Sequence, residues 1–190
     1  MIAVPEKNPY PSGDLAVWIF ILAELLVFGL FFSSYAITRI NNIELFNAYQ
    51  STLNREVALV NTLALITSSY FVVRSVIEVK LGQKDKALRW MLFAILMGFL
   101  FIVVKTLEFE HHLSQGITLS TNTFYMFYLS LAFFHYLHVI LGLIVLGVIY
   151  LNLGKGAYTK NSHSGIESGA NYWHMVDLVW LILFSLVYVM

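Results

Sequence analysis

Five long apolar runs alternate with short polar stretches along the chain, at roughly 14–37, 57–79, 88–108, 123–151 and 171–190. Each supplies the about 20 residues a helix needs to cross the hydrocarbon of a bilayer. None shows the strict polar–apolar alternation of a membrane β-barrel strand. Pro5, Pro9 and Pro11 all precede the first run, so no run contains a helix breaker. Pro11, Ser12, Gly13 and Asp14 read as a turn and helix cap leading into it. Gly154, Gly156, Gly165 and Gly169 mark 152–170 as a mobile loop before the last run. The pattern predicts an all-α, polytopic membrane protein. It is a single membrane domain over 1–190, built as a bundle of five transmembrane helices without internal repeat.

Composition agrees with the pattern. The 190 residues are 59% hydrophobic and only 12% charged, with a mean hydropathy of +0.76. A soluble domain carries about 25% charged residues, so this chain has too little polar surface to face water all round. Net charge is zero, which argues against a nucleic-acid partner. The absence of cysteine excludes disulfides, iron–sulfur clusters and thiolate metal sites. The first run exceeds the roughly 7–15 residues of a signal-peptide core, and no small-x-small site follows it, so no cleavable signal is expected. No phosphate-binding loop, HExxH helix or nucleophile with a convincing base is present.

Lysine and arginine set the direction. Lys7, Lys80, Lys84, Lys86, Arg89, Lys155 and Lys160 fall on one side, and Arg74 can snorkel towards it. The other side's loops hold only Arg39 and Arg55, with Lys105 near that end of the third span. The positive-inside rule then places the N-terminus in the cytoplasm and the C-terminus outside. The expected location is the bacterial inner membrane, crossed several times.

Ionisable residues within the spans are the candidate functional groups, because a charge in hydrocarbon is costly and usually faces a protein interior. Glu24 lies about ten residues into the first span, hence about 15 Å deep. It is either a protonated acid bonded to a neighbouring helix or a proton-active group. His135 and His138, three apart near the middle of the fourth span, share a face, and one of them can pair with Glu24. A metal held by both rings and Glu24 is the geometric alternative. Two rings on one helix face cannot take opposite sides of one haem iron.

Lys105 and Glu108, again three apart at a helix end, read as a snorkelling, partly exposed pair. Glu110, His111 and His112 beside them read as solvated, with a peripheral metal site as the sharper alternative. His174 and Asp177 open the fifth span, with Asp177 in the first turn and His174 placed for a lipid phosphate or a partner subunit. Tyr172, Trp173 and Trp180 partly fit an interfacial belt. Asn61, Thr62, Thr67, Ser68 and Ser69, with Gly29, Gly98, Gly142 and Gly147, read as helix-packing surfaces.

Five motifs in order complete the picture: GDLAVWIFILAELLVFGLFF (13–32), NTLALITSS (61–69), KTLEF (105–109), FHYLHVILGL (134–143) and YWHMVDLVW (172–180). Together they resemble subunit III of the haem–copper oxidases, the cytochrome c oxidase polypeptide III family, over nearly the whole chain. The span count matches the short, five-helix members, and the GDLA start, short loops and end at Met190 look most like the branch associated with nitric oxide reductase.

The resemblance implies residue roles. Glu24 matches the family's buried, carbodiimide-reactive glutamate, and His135 and His138 match its paired histidines. Lys105 and Glu108 match its Lys-x-x-Glu element, and His174, Asp177 and Trp180 match its final-helix motif. Tyr136 departs from the family, which often has glycine there. The first two helices of the seven-helix type have no counterpart, and the family's lipid cleft lies against them.

The implied function is a non-redox accessory subunit. It would hold no cofactor of its own, pack on a haem-bearing catalytic subunit with copper or non-haem iron, support proton uptake and stabilise the metal centre. Other subunits of the complex and membrane lipids are the further expected partners, with a bound phospholipid as an added expectation. The alternative is an independent transporter or metal-binding protein using Glu24, His135 and His138.

Overall fold

The computed structural model describes residues 13–160 and 162–190. Pro5, Lys7, Pro9, Pro11 and Ser12 lie outside the described residues, so their assigned roles have no counterpart below. The described residues form α1 (Leu15–Asn41), α2 (Ile43–Gln50), α3 (Arg55–Lys80), α4 (Lys84–Ser114), α5 (Thr123–Gly154) and α6 (Ser164–Phe184), followed by a π-helical turn, Ser185–Val189. Five of these helices, all except α2, are long and apolar enough to cross a membrane, α6 together with its π turn.

Local chemistry explains the starts and stops. Asp14 accepts a hydrogen bond from the Ala16 N–H, Asn54 from Val57 and Asn122 from Tyr125, so three of the long helices begin on a side-chain cap. The sharp reversal between α3 and α4 turns at Gly82, with φ of +76°, which a residue lacking Cβ adopts without strain. The short α2 was not expected. Its Phe46 is fully buried, edge-on to Tyr35 and Phe124. Eight residues are too few to span, so the hydrophobic pattern alone read the segment as a connection.

Helices α3, α4, α5 and α6 pack in a closed ring, α3 on α4, α4 on α5, α5 on α6 and α6 back on α3. Helix α1 sits outside this ring, chiefly against α6. The distribution of polarity is the reverse of a soluble bundle. Leu22, Leu26 and Leu30 of α1 and Leu63 of α3 face outward, whereas Asn61, Ser68, Ser75, Lys105 and His135 are fully buried. Without water to drive apolar contact, membrane helices associate through small residues and interhelical hydrogen bonds. Here Ser68 donates to the Ala94 carbonyl at 2.7 Å and Ser75 to the Ala87 carbonyl at 2.8 Å, tying α3 to α4.

Glycine does the same on the other side. A Cβ on Gly98 or on Gly142 would approach the Trp173 ring to 2.7 Å, so the indole of α6 lies between two helices that must both be bare there. Gly29 and Gly147, by contrast, face open space.

The last span begins earlier than its hydropathy predicts, at Ser164 rather than 171. Gly165 and Gly169, read as loop residues, are helical. A Cβ on Gly169 would run into Ile149, and one on Gly165 would meet Tyr158. Ser168 Oγ accepts the Asp14 N–H at 2.8 Å and docks the start of α1. Small and polar residues here serve close packing, not chain mobility.

The cationic residues gather as the charge pattern requires. At one end Lys80 pairs with Glu167 at 2.6 Å and Lys84 donates to the Gly154 carbonyl at 2.6 Å. Arg74 pairs with Glu78 at 3.2 Å and lies over the Trp90 ring. Arg39 contacts Gln50, Asn47 and the Met190 carbonyl elsewhere in the bundle, beside the C-terminus.

Candidate functional site

Two polar clusters lie within the spans, one joining α1 to α5 and one inside the ring. In the first, Glu24 Oε2 lies 3.0 Å from His138 Nε2. His138 Nδ1 lies 2.7 Å from the Phe134 carbonyl of its own helix. A carbonyl can only accept, so Nδ1 carries a hydrogen. The Nε2 contact then needs one further proton, held either by Glu24 against a neutral imidazole or by His138 against a carboxylate. In both cases the pair is neutral overall, which is the inexpensive state at this depth. Phe28 meets the His138 ring edge-on at 5.2 Å and the Tyr172 hydroxyl donates to the His138 carbonyl at 3.3 Å.

The two histidines part company. Three residues advance a helix by about 300°, so the rings differ in direction by about 60°. That is enough to send His135 into the ring interior. It is fully buried, stacked on Trp180 at 5.2 Å and edge-on to Phe101 at 5.7 Å, and neither ring nitrogen has a hydrogen-bond partner. Glu24, His135 and His138 therefore do not converge. Among the described residues no three histidine, aspartate or glutamate side chains do so in a metal-holding geometry.

The second cluster corrects the reading of Lys105 and Glu108 as a snorkelling, partly exposed pair. Lys105 is completely enclosed, and its ammonium lies 3.0 Å from Glu108 Oε1, 2.9 Å from the Tyr188 hydroxyl and 3.4 Å from the Tyr128 hydroxyl. Both tyrosines also donate to Glu108 Oε1, Tyr188 at 3.0 Å. Four rings surround the ammonium, those of Phe109, Tyr128, Trp180 and Tyr188, each at 5.2–5.6 Å. Such ring faces attract a cation most strongly where water is excluded. Snorkelling fails because α4 continues past Glu108 to Ser114, more than one and a half turns further, and the π turn folds Tyr188 over the pair. Tyr128 and Tyr188 were absent from the expected site. The hint available was that a lysine well inside a helix must find hydrogen-bond acceptors somewhere.

Trp180 links this cluster to α3 by donating to Thr62 Oγ1 at 3.0 Å. Trp180, Trp173 and Tyr172 are all buried, so they form no interfacial belt. The early start of α6 also moves His174 and Asp177 to its middle, away from the first turn where the helix dipole would favour an acid. Asp177 turns to Ser69 of α3, with its Oδ1 buried between the two helices. Tyr136 joins α5 to α4 through the Thr106 hydroxyl at 2.9 Å. His111 bonds Gln115 at 3.0 Å, and His112 is buried against Tyr125 and Tyr128.

Comparison with known proteins places this arrangement. The family model for cytochrome c oxidase subunit III matches residues 12–190. The chain belongs to the cytochrome c oxidase subunit III family. It is 31% identical to cytochrome c oxidase subunit 3 of Thermostichus vulcanus over 191 aligned residues, covering 100% of this chain and 93% of that one. It is 33% identical to the Synechocystis protein of the same description, covering 92% and 74%. It is 28% identical to quinol oxidase subunit 3 of Bacillus subtilis, covering 93% and 86%. The two polar clusters are thus features of a subunit III chain, and the expected resemblance holds at the level of the family.

Proposed function

We propose that this chain is a non-redox accessory subunit of a respiratory haem–copper oxidoreductase in a bacterial inner membrane, with the N-terminus in the cytoplasm. The carrying observation is the family match over residues 12–190. The interior supports the same reading. His138 has both nitrogens engaged, and His135 is walled in by Phe101 and Trp180. Neither ring is presented to a haem. Haem, with copper or non-haem iron, belongs in this reading to a subunit I-type partner, which the chain stabilises and whose proton uptake it supports. The neutral Glu24–His138 pair is the group on this chain suited to holding a proton at mid-membrane.

Relatives described as oxidase subunits favour oxygen as the terminal acceptor. The GDLA start and the three-residue α3–α4 link favour nitric oxide as a second reading. The test is to purify the complex from cells with and without this chain. The haem spectrum is expected to persist without it, while activity decays faster during turnover and proton uptake slows. Equal stability and equal uptake would contradict the proposal, and consumption of oxygen against nitric oxide decides the acceptor.

A further inference from the structure

Five oxidisable rings run in contact from the interior of the helix ring to the edge of the bundle. Trp180 of α6 is fully buried and lies 6.5 Å from Tyr188 of the π turn, centroid to centroid. Tyr188 lies 6.1 Å from Tyr128 of α5, Tyr128 6.4 Å from Tyr125, and Tyr125 5.4 Å from Tyr49 of α2. The first four rings are buried, whereas Tyr49 is 37% exposed. Trp180 stands about 24 Å along a helical path of about 39 Å that starts at Ser164, well inside the hydrocarbon. Tyr49 sits in the short α2, at the end of the bundle that carries Arg55.

Among aromatic side chains, tyrosine and tryptophan give up an electron readily and phenylalanine does not. Phenylalanine would fill the same space, as Phe46 and Phe124 do beside the line, and would bring no buried hydroxyl in need of a partner. The phenolic protons also have acceptors. An oxidised phenol releases its proton, and Tyr188 and Tyr128 already donate to the same carboxylate oxygen, Glu108 Oε1. The Tyr125 hydroxyl bonds Thr52 Oγ1 at 3.1 Å and lines an open cavity of about 440 Å³, with Asn54, His111 and Gln115 exposed at its rim.

We infer that Trp180, Tyr188, Tyr128, Tyr125 and Tyr49 form a hole-transfer ladder, which carries a one-electron oxidation from the membrane interior to the aqueous edge. The oxidant is a lipid-borne peroxyl radical and the final reductant a water-soluble thiol. One electron passes from ring to ring towards Trp180 and on to the peroxyl radical, which takes a proton from water and becomes a hydroperoxide. Tyr188 and Tyr128 lend their phenolic protons to Glu108 while oxidised and recover them when reduced. Tyr49 finally loses an electron and releases its proton to water. The thiol returns a hydrogen atom to Tyr49 and leaves as a thiyl radical. The ladder lies wholly within this chain, so the inference does not rest on the accessory-subunit reading.

The experiment uses the intact complex in its own membranes. A lipid-soluble azo initiator generates peroxyl radicals inside the bilayer, and a water-soluble nitroso spin trap marks tyrosyl radicals at the surface. Mass spectrometry locates the adducts. The expected result is an adduct at Tyr49 that falls several-fold in Tyr125→Phe and in Tyr128→Phe, while oxidation of Trp180 rises. Tyr125→Phe breaks the ladder without touching Lys105 or Glu108, so its effect is separable from damage to that cluster. Tyr136→Phe, off the ladder, should change neither readout. No adduct at Tyr49 in the wild type, equal adduct in Tyr125→Phe, or an equal fall in Tyr136→Phe overturns the inference.

Discussion

His138 touches Glu24 with one ring nitrogen, at 3.0 Å, and the Phe134 carbonyl with the other, at 2.7 Å. The two contacts together require one proton beyond the Nδ1 hydrogen, whichever residue carries it. A glutamine at position 24 meets the same need, because its amide can donate to a neutral imidazole.

Glu24→Gln is therefore expected to leave the fold intact, within about 1 kcal/mol, whereas Glu24→Ala leaves Nε2 unpaired and costs about 1–3 kcal/mol. Thermal unfolding of the purified complex measures both. Proton uptake during turnover separates function from folding. Glu24→Gln, lacking the exchangeable acid, should slow uptake while the haem spectrum stays unchanged. Wild-type uptake at every pH would remove the proton-holding role.

Lys105 supplies the sharpest stability prediction. Lys105→Met leaves Glu108 partly enclosed without its cation, and breaking a buried pair costs about 3–5 kcal/mol. The double variant with Glu108→Gln removes both charges and should recover a large part of that loss. Additive losses in a double-mutant cycle would show that the two residues do not act as a pair.

The glycines around Trp173 give a paired test. Gly142→Val forces a branched side chain against the indole and should destabilise by about 1–3 kcal/mol. Gly147→Ala, on the same helix but facing open space, should not destabilise. Similar losses at the two positions would mean that packing against the indole does not set Gly142 apart.

Topology is tested at Asn47 in α2. Since the natural chain contains no cysteine, Asn47→Cys creates a single labelling point. A membrane-impermeant thiol reagent should reach it from outside intact cells. Labelling confined to inverted vesicles would reverse the orientation.

What was legible in the sequence divides along physical lines. The spans could be read because bilayer thickness imposes a length and an apolar composition, and both are local. Glu24, His138, Lys105 and Glu108 were found because an ionisable residue in hydrocarbon is conspicuous wherever it folds. Their partners were less accessible. Tyr188 reaches Lys105 only because the π turn at Ser185 redirects it, and nothing in SLVYV announces an i to i+5 hydrogen bond. The divergence of His135 from His138 depends on which neighbour occupies each side of α5, a tertiary fact. The start of α6 was misplaced because glycine and serine have the same composition in a loop and in a close helix contact.

The most direct measurement is a gentle affinity purification of this chain from its own membranes, with a reduced-minus-oxidised spectrum and mass spectrometry of what accompanies it. The account predicts haem bands and a co-purifying multi-helix catalytic subunit, with the haem types separating an oxygen reductase from a nitric oxide reductase. A colourless chain that comes away alone would contradict it and turn attention to Glu24 and His138 as the site of an independent transporter.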